Sequence, residues 1–293
     1  MPPEPLVLTR PHEPNSANDA RQHLRSVLGP ATLPSNRLTP TPTSQVLGLK
    51  LGIKQSLVRG VAKLAAFTEK EVEHLLNFVG YGSADASVWF LGMEEAGGGE
   101  DNLRARLTFN SIEDLREAHL KLGLRQFHDF KRPRIQRTWR GMSYVMLRLN
   151  QEEPSRETIR KYQSTQLGRS SGSTLLLELM PIPKPTARSW DYDSVLPQFR
   201  SRHDYEFQVK HRRLEMIRRL IQQHTPQIVV AYGKKYWDDF RQLFPDATFS
   251  AESQFEWALS DRTLVVLTAH FTARSMNGKL EDLVDLICSR QAE

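Results

Sequence analysis

Four short apolar runs set what this chain can fold into. SVWFLG (87–92), STLLLEL (173–179), QIVVAYG (227–233) and TLVVLTAH (263–270) are short, rich in Val, Leu and Ile, and bounded by polar or turn residues. Segments of helical period lie around and between them. Thr68 with Glu71 three residues on forms a capping box ahead of an apolar face of Val72, Leu75, Leu76 and Val79. Ser111 with Asp114 can start a helix running to about Leu122, Met142, Val145, Met146 and Leu149 make a second stripe, and Ser155 caps a third helix. Phe207, Lys210, Leu214, Ile217 and Ile221 mark a long helix. Tyr236, Phe240 and Leu243 mark the next, and Leu280, Leu283, Val284 and Ile287 the last. Strands apolar on both faces, alternating with helices, belong to a parallel sheet covered on each side. The pattern predicts an α/β fold: a three-layer α/β/α sandwich around a central, mostly parallel four-stranded sheet. A short pair at 247–251 and 255–259 adds an edge.

Hydrophobic residues are 39% of the 293, enough for a core, which excludes a wholly disordered chain. Residues 1–45 differ, with nine of the 17 prolines. They read as a Pro-rich flexible or extended tail, or one that wraps the domain, leaving 46–293 as a single domain. Leu57, Val61 and Leu64 have helical spacing where the globular pattern begins. No apolar run approaches the roughly 18–20 residues of a membrane helix. MPPEPLVLTRPHEP lacks a basic region followed by an apolar one, so a cytoplasmic protein without a membrane partner is expected. A single cysteine, Cys288, excludes an intramolecular disulfide and any all-cysteine zinc or iron–sulfur site within the chain. The net charge of +6 permits an anionic partner without requiring one.

In open α/β sheets, ligands bind beyond the carboxyl ends of the strands. There the sequence places Gly92-Met93-Glu94-Glu95-Ala96-Gly97-Gly98-Gly99, then Glu178 with Lys184 after it, then Gly233-Lys234-Lys235, then His270-Phe271-Thr272-Ala273-Arg274. Carboxylates, an imidazole and several cations converging on one rim suit acid–base or electrostatic chemistry on an anionic polymer or nucleotide. Each piece also has a plainer reading. Glu94 and Glu95 can favour a helix N-terminus. Neither glycine segment has P-loop spacing. His270 can be a packing or surface histidine, and Glu178 one half of an ion pair. A carboxylate inside LLLEL is nonetheless costly to bury without a partner.

Taken together, GMEEAGGG (92–99), LTFN (107–110), LLLE (175–178) and TAHFTAR (268–274) resemble, in order and placement, the motifs of the uracil-DNA glycosylase superfamily. PQIVVAYGKKYWDDF (226–240) is similar to that superfamily's penultimate strand and helix. The resemblance covers roughly 85–288 and implies a uracil-DNA-glycosylase-like fold for the catalytic domain. It implies that Glu94 or Glu95 orients water, and that His270 stabilises charge on the departing base. Phe109 would stack on the base, and Glu178 would read its edge beside Gly92 and Met93. Arg274 or Met276 would fill the gap left in the duplex. The chain departs from the family where Glu178 replaces a base-reading Asn, where Phe271 and Thr272 follow the His, and where the first loop lacks Asp-Pro or Pro-Gly.

A carboxylate accepts hydrogen bonds, and cytosine offers an N4 amino donor where uracil offers the O4 acceptor. Glu178 at the reading position therefore favours a cytosine-type base, and a protonated Glu178 would also donate to N3. The small residues Ala96–Gly99 leave room for a C5 substituent. The resemblance implies a monofunctional N-glycosylase that flips and excises a modified cytosine such as glucosylated 5-hydroxymethylcytosine, leaves an abasic site, and serves in anti-phage defence. The alternatives are a non-catalytic reader of modified DNA, a uracil excision repair enzyme and a hydrolase of free nucleotides. No metal or cofactor is called for, and a monomer is expected; His203 and His211 lack the i, i+4 spacing of a helical ligand pair. For the DNA backbone, one basic stretch holds Arg125, Lys131, Arg132, Arg134, Arg137, Arg140 and Arg148, interleaved with Phe127, Phe130 and Trp139. A second holds Arg200, Arg202, Lys210, Arg212, Arg213, Arg218 and Arg219. Either can meet phosphates or be a solvated helix face, and Lys184 is a further candidate for a phosphate.

Overall fold

A computed structural model describes residues 65–184 and 190–291. The tail at 1–45 and the Leu57, Val61, Leu64 stripe lie outside the described residues. In chain order the elements are α1 (Glu69–Leu76), β1 (Gly80–Gly82), β2 (Val88–Ala96), α2 (Glu100–Arg106), β3 (Ile112–Glu113), α3 (Leu115–Lys121), α4 (Arg137–Leu149), α5 (Arg156–Thr165) and β4 (Thr174–Lys184). Then follow α6 (Arg202–His224), β5 (Ile228–Tyr232), α7 (Trp237–Arg241), β6 (Ser250–Glu252), β7 (Phe255–Ser260), β8 (Thr263–Thr268) and α8 (Leu280–Gln291).

Several helix starts are fixed by the side chains the sequence pointed to. Thr68 and Glu71 form the capping box of α1, and Ser155 with Thr158 forms that of α5. The helix expected from Ser111 begins later, because Asp114 is its cap: the Asp114 carboxylate accepts from the backbone N–H groups of Arg116 and Glu117. That leaves Ile112 and Glu113 free to pair with β1 as β3.

The protein is α/β, as expected, but its sheet is mixed and eight-stranded, in the order β3-β1-β4-β2-β5-β8-β7-β6. The four apolar runs supply the centre, where β4, β2, β5 and β8 are mutually parallel. Beyond β8 an antiparallel hairpin of β7 and β6 adds the expected edge. On the other side, β1 runs antiparallel to β4, and β3 pairs with β1. These two strands, three and two residues long, carry no apolar run, which is why sequence periodicity does not disclose them.

Alternation along the central strands divides the core in two. Trp89, Leu91, Leu175, Leu177, Val229, Ala231, Val265 and Leu267 pack with residues of α1, α6 and α7. Val88, Phe90, Leu176, Ile228, Val230, Leu264 and Val266 pack with residues of α3, α4, α5 and α8. Two strands run further than their apolar cores. β2 continues through Glu94 and Glu95 to Ala96, and β4 through Pro181 and Pro183 to Lys184. Glu94 and Glu95 are therefore strand residues rather than loop residues. β1 leaves β4 after Leu177, so from Glu178 onward one side of β4 has no strand partner, and prolines are tolerated there.

Arg213 ties α6 to the sheet and to α1. Its guanidinium, 1% exposed, donates to the backbone carbonyls of Leu179 (3.0 Å), Glu178 (2.8 Å) and Leu76 (3.2 Å). Burial lowers its pKa to about 10, so it stays charged at neutral pH. Arg213→Ala strands three buried carbonyls and should cost roughly 2–4 kcal/mol in urea unfolding; Arg213→Lys should recover only part, since one ammonium cannot reproduce the fork. Equal stability of Arg213→Ala and the parent chain would contradict this.

Candidate functional site

A cleft of about 1080 Å³ opens at the carboxyl ends of the parallel strands. Met93, Glu94 and Glu95 of β2, Glu178 of β4, Tyr232 of β5 and His270 after β8 all line it. Phe78, Tyr81, His119, Phe127 and Trp139 make an aromatic wall, and Arg134, Arg137, Lys234 and Lys235 add cations.

Glu178 is central. Its register partner across the sheet is Gly92. A Cβ on Gly92 would lie 2.1 Å from Glu178 Oε2 and 2.5 Å from the Tyr232 hydroxyl oxygen, so only glycine leaves space for this carboxyl group. Tyr232 donates to Glu178 Oε1 at 2.8 Å, while Oε2 is buried without a partner. Burial raises the Glu178 pKa to about 8; the Tyr232 hydrogen bond opposes the rise, and the Glu95 and Glu94 charges add to it. At neutral pH the group is chiefly a neutral acid, with one O–H to donate and carbonyl-type lone pairs to accept.

The two adjacent glutamates are held differently. Glu94 lies between two cations, with Lys184 Nζ at 2.9 Å from one oxygen and Arg202 at 3.2 Å from the other. Glu95 uses one oxygen, Oε2, to accept from the Tyr81 hydroxyl (2.8 Å) and from the buried Arg106 (2.6 Å). Its Oε1 has no hydrogen-bond partner among the described residues. Both side chains are fixed, but only Glu95 keeps a carboxylate oxygen uncommitted.

His270 has a defined tautomer. Its Nδ1 accepts from the Thr272 backbone N–H (3.2 Å), which can only donate, and is 2.7 Å from the Thr272 hydroxyl. Burial lowers its pKa, so the ring is neutral at pH 7 with its proton on Nε2. That N–H makes no hydrogen bond to a described residue and remains available to a ligand. The ring packs against Tyr232 at 5.4 Å between centroids.

The cleft therefore brings together Glu94, Glu95, Glu178, Met93 and His270, with Gly92 beneath the Glu178 carboxyl. Phe109 is not among its lining residues. It is 3% exposed, next to Phe78 at 5.8 Å, with Arg106 and Lys121 over its ring. Phe78 and Tyr81 line the cleft instead. Met276 is 3% exposed and receives the Thr268 hydroxyl on its sulfur at 3.3 Å, which removes it from any surface role. Lys184, expected at a phosphate, is buried and committed to Glu94. Arg274 is exposed beside the lining residues Ala273 and Ser275.

The two basic stretches part company. Arg132, Arg134, Arg137 and Arg140 are exposed and make no ion pair among the described residues. In the second stretch Arg202 pairs with Glu94 and Glu206, Lys210 with Asp239, Arg212 with Glu73 and Arg219 with Glu215, and Arg213 is buried.

Sequence reasoning missed Tyr232, Tyr81 and Arg106, and it offered Arg202 to phosphates where the structure pairs it with Glu94 and Glu206. Only Tyr232 carried a signal, standing just before the glycine that ends a predicted strand. The Gly97–Gly99 run has a backbone explanation: its φ angles are +109°, +113° and +92°, which favour glycine, and it leads into α2. Among the described residues no group of three or more His, Cys, Asp or Glu could hold a metal ion, and no helix is long and apolar enough to cross a membrane. No protein-family model matches the chain, and no curated protein matches it in sequence.

A raised Glu178 pKa carries a stability consequence with a definite sign. The stability tied to its proton is fully present below about pH 4.5, where the unfolded chain is also protonated, and is lost as pH rises to about 8. Glu178→Gln, which keeps the neutral shape, should lack this loss. Its unfolding free energy should draw ahead of the parent chain's through that window, by a few kcal/mol at pH 8. Parallel stability–pH curves for the two proteins would show that Glu178 is charged in the fold.

Proposed function

We propose that this protein is a DNA N-glycosylase that extrudes a modified, cytosine-type nucleotide, excises its base and leaves an abasic site. One observation carries the reading: a neutral carboxyl, a neutral imidazole with a free Nε2–H and a carboxylate with a free oxygen line one cleft bordered by unpaired arginines. The order of the central strands and the motifs at their ends support the likeness to uracil-DNA glycosylases.

Each side chain has a task in such a reaction. Arg134 and Arg137, with Arg132, Arg140 and Arg274 nearby, meet phosphates. The extruded base enters the cleft against the aromatic wall of Phe78, Tyr81 and Trp139. Glu178 accepts from the N4 amino group of a cytosine and, being protonated, donates to N3. Departure of the base leaves an oxocarbenium-like sugar and negative charge on the base. His270 Nε2–H donates to O2, where that charge collects, and the ring needs no second proton to do so. Glu95 stabilises the sugar cation and orients the attacking water with its free Oε1. Glu94 is a structural counter-charge to Lys184 and Arg202. A cleft of this volume exceeds what a bare pyrimidine fills, in keeping with a C5 substituent such as the glucosylated hydroxymethyl group of modified phage DNA. A neutral carboxyl also complements uracil, through O–H to O4 and C=O to N3–H, which favours uracil excision as the second reading.

Oligonucleotides carrying uracil, cytosine, 5-hydroxymethylcytosine or its glucoside, cleaved with alkali after incubation, test the proposal. Excision from a cytosine-type modified base is expected, with unmodified cytosine refused. Tight binding without excision of any base would point to a reader instead. Glu95→Gln should lower single-turnover excision about 10²–10⁴-fold, and Glu94→Gln should act mainly through stability. Full activity of Glu95→Gln would remove its role. Excision should also weaken as pH rises through about 8, where Glu178 loses its donor. A rate constant flat through that range would separate Glu178 from base reading.

A further inference from the structure

We propose that Phe130 is the side chain that enters the duplex and occupies the space left by the extruded nucleotide; this inference rests on the glycosylase reading above. Three large apolar side chains are exposed among the described residues: Phe130 (58%), Phe207 (79%) and Leu259 (50%). Phe207 and Leu259 lie on α6 and β7, and neither belongs to a segment whose neighbouring residues line the cleft. Phe130 stands near the tip of the 126–134 segment, whose Phe127 and Arg134 are part of the cleft wall.

This segment is a closed, braced loop. The Arg134 backbone N–H donates to the Gln126 carbonyl at 2.8 Å and shuts its base. Arg160 donates to the Pro133 carbonyl at 3.0 Å, and the buried Gln163 donates to that of Arg134 at 2.9 Å. On the other flank, Arg116 pairs with Asp129 at 2.8 Å, and His128 is buried beside His119. With both feet held, little ordering entropy remains to be lost when the tip inserts. The next two residues, Lys131 and Arg132, are exposed cations without an ion-pair partner among the described residues, so the apolar tip is delivered with charge suited to flanking phosphates.

An extruded nucleotide leaves two neighbouring base pairs without a stacking partner, and its base re-enters unless something takes the place. An aromatic ring between base steps does this, because it stacks on either neighbour regardless of sequence. No described residue covers the exposed face of Phe130; a base step would.

The test compares single-stranded and duplex DNA with the full chain. Phe130→Ala should lower excision from the duplex about tenfold or more, while excision from the same strand unpaired stays within about twofold; Phe130→Trp should retain duplex activity. Equal loss on both substrates would mean a structural role, and no loss on either would end the proposal. A duplex with 2-aminopurine beside the target tests insertion without relying on catalysis. Binding of the parent chain should raise its fluorescence, and Phe130→Ala should bind with less than half that rise. An equal rise would overturn the assignment whether or not any base is excised, and failure of excision with a Phe130-dependent rise would overturn the glycosylase reading alone.

Discussion

A carboxyl group set inside the sheet is the constraint around which the rest of the site is arranged. Glu178 can occupy its position only because its register partner, Gly92, has no side chain. It remains neutral because burial disfavours the anion and because the adjacent Glu95 and Glu94 carboxylates oppose a third negative charge. Tyr232, at the end of β5 on the far side of β2, engages one oxygen of the carboxyl and leaves the other unpartnered. Arg213 grips the backbone of the same residue from α6, so the strand cannot shift to relieve the crowding. An unpartnered buried oxygen is costly in a resting protein. It persists beside an open cleft, where a ligand could satisfy it.

Charge is partitioned across the molecule in a way that follows from the same principle. Carboxylates facing the cleft are each bound to cations behind them: Glu94 to Lys184 and Arg202, Glu95 to Arg106. These pairs fix the carboxylates and spare the cleft a concentrated negative potential that would repel a phosphate chain. On the 125–140 segment Arg125 pairs with Asp129, whereas Arg132, Arg134, Arg137 and Arg140 have no ion-pair partner among the described residues, and Arg134 and Arg137 line the cleft. The long helix α6, equally basic in sequence, spends its charges on Glu73, Glu94, Glu206, Glu215 and Asp239. Two segments alike in their basic residues thus differ in how many of those charges are paired within the protein.

Much of the architecture was readable from the chain alone. The four central strands, the Thr68 and Ser155 caps, the apolar faces of the helices and the outer hairpin all rest on local signals: period, capping chemistry and turn residues within a few positions of one another. The convergence of Glu94, Glu95, Glu178 and His270 followed from the rule that parallel strands end on one rim. Strands β1 and β3 stayed hidden because two or three residues have no period. The stretch from Met93 to Ala96 reads as a loop by its composition, whereas its pairing with the extended β4 makes it strand.

Roles that depend on distant partners were decided by the tertiary structure. Lys184 became a counter-ion because Glu94 lies 2.9 Å away on the adjacent strand. Phe109 and Met276 became core residues because neighbouring elements cover them, while Phe130, indistinguishable from them by composition, was left in solvent. Tyr232 acquired its hydrogen-bond partner in a carboxyl group 54 positions away in sequence. Sequence determines which segments are apolar, capped or charged, since those properties arise from covalent neighbours. Burial, protonation and the availability of a hydrogen-bonding atom arise from what is packed against it, and folding alone brings those groups together.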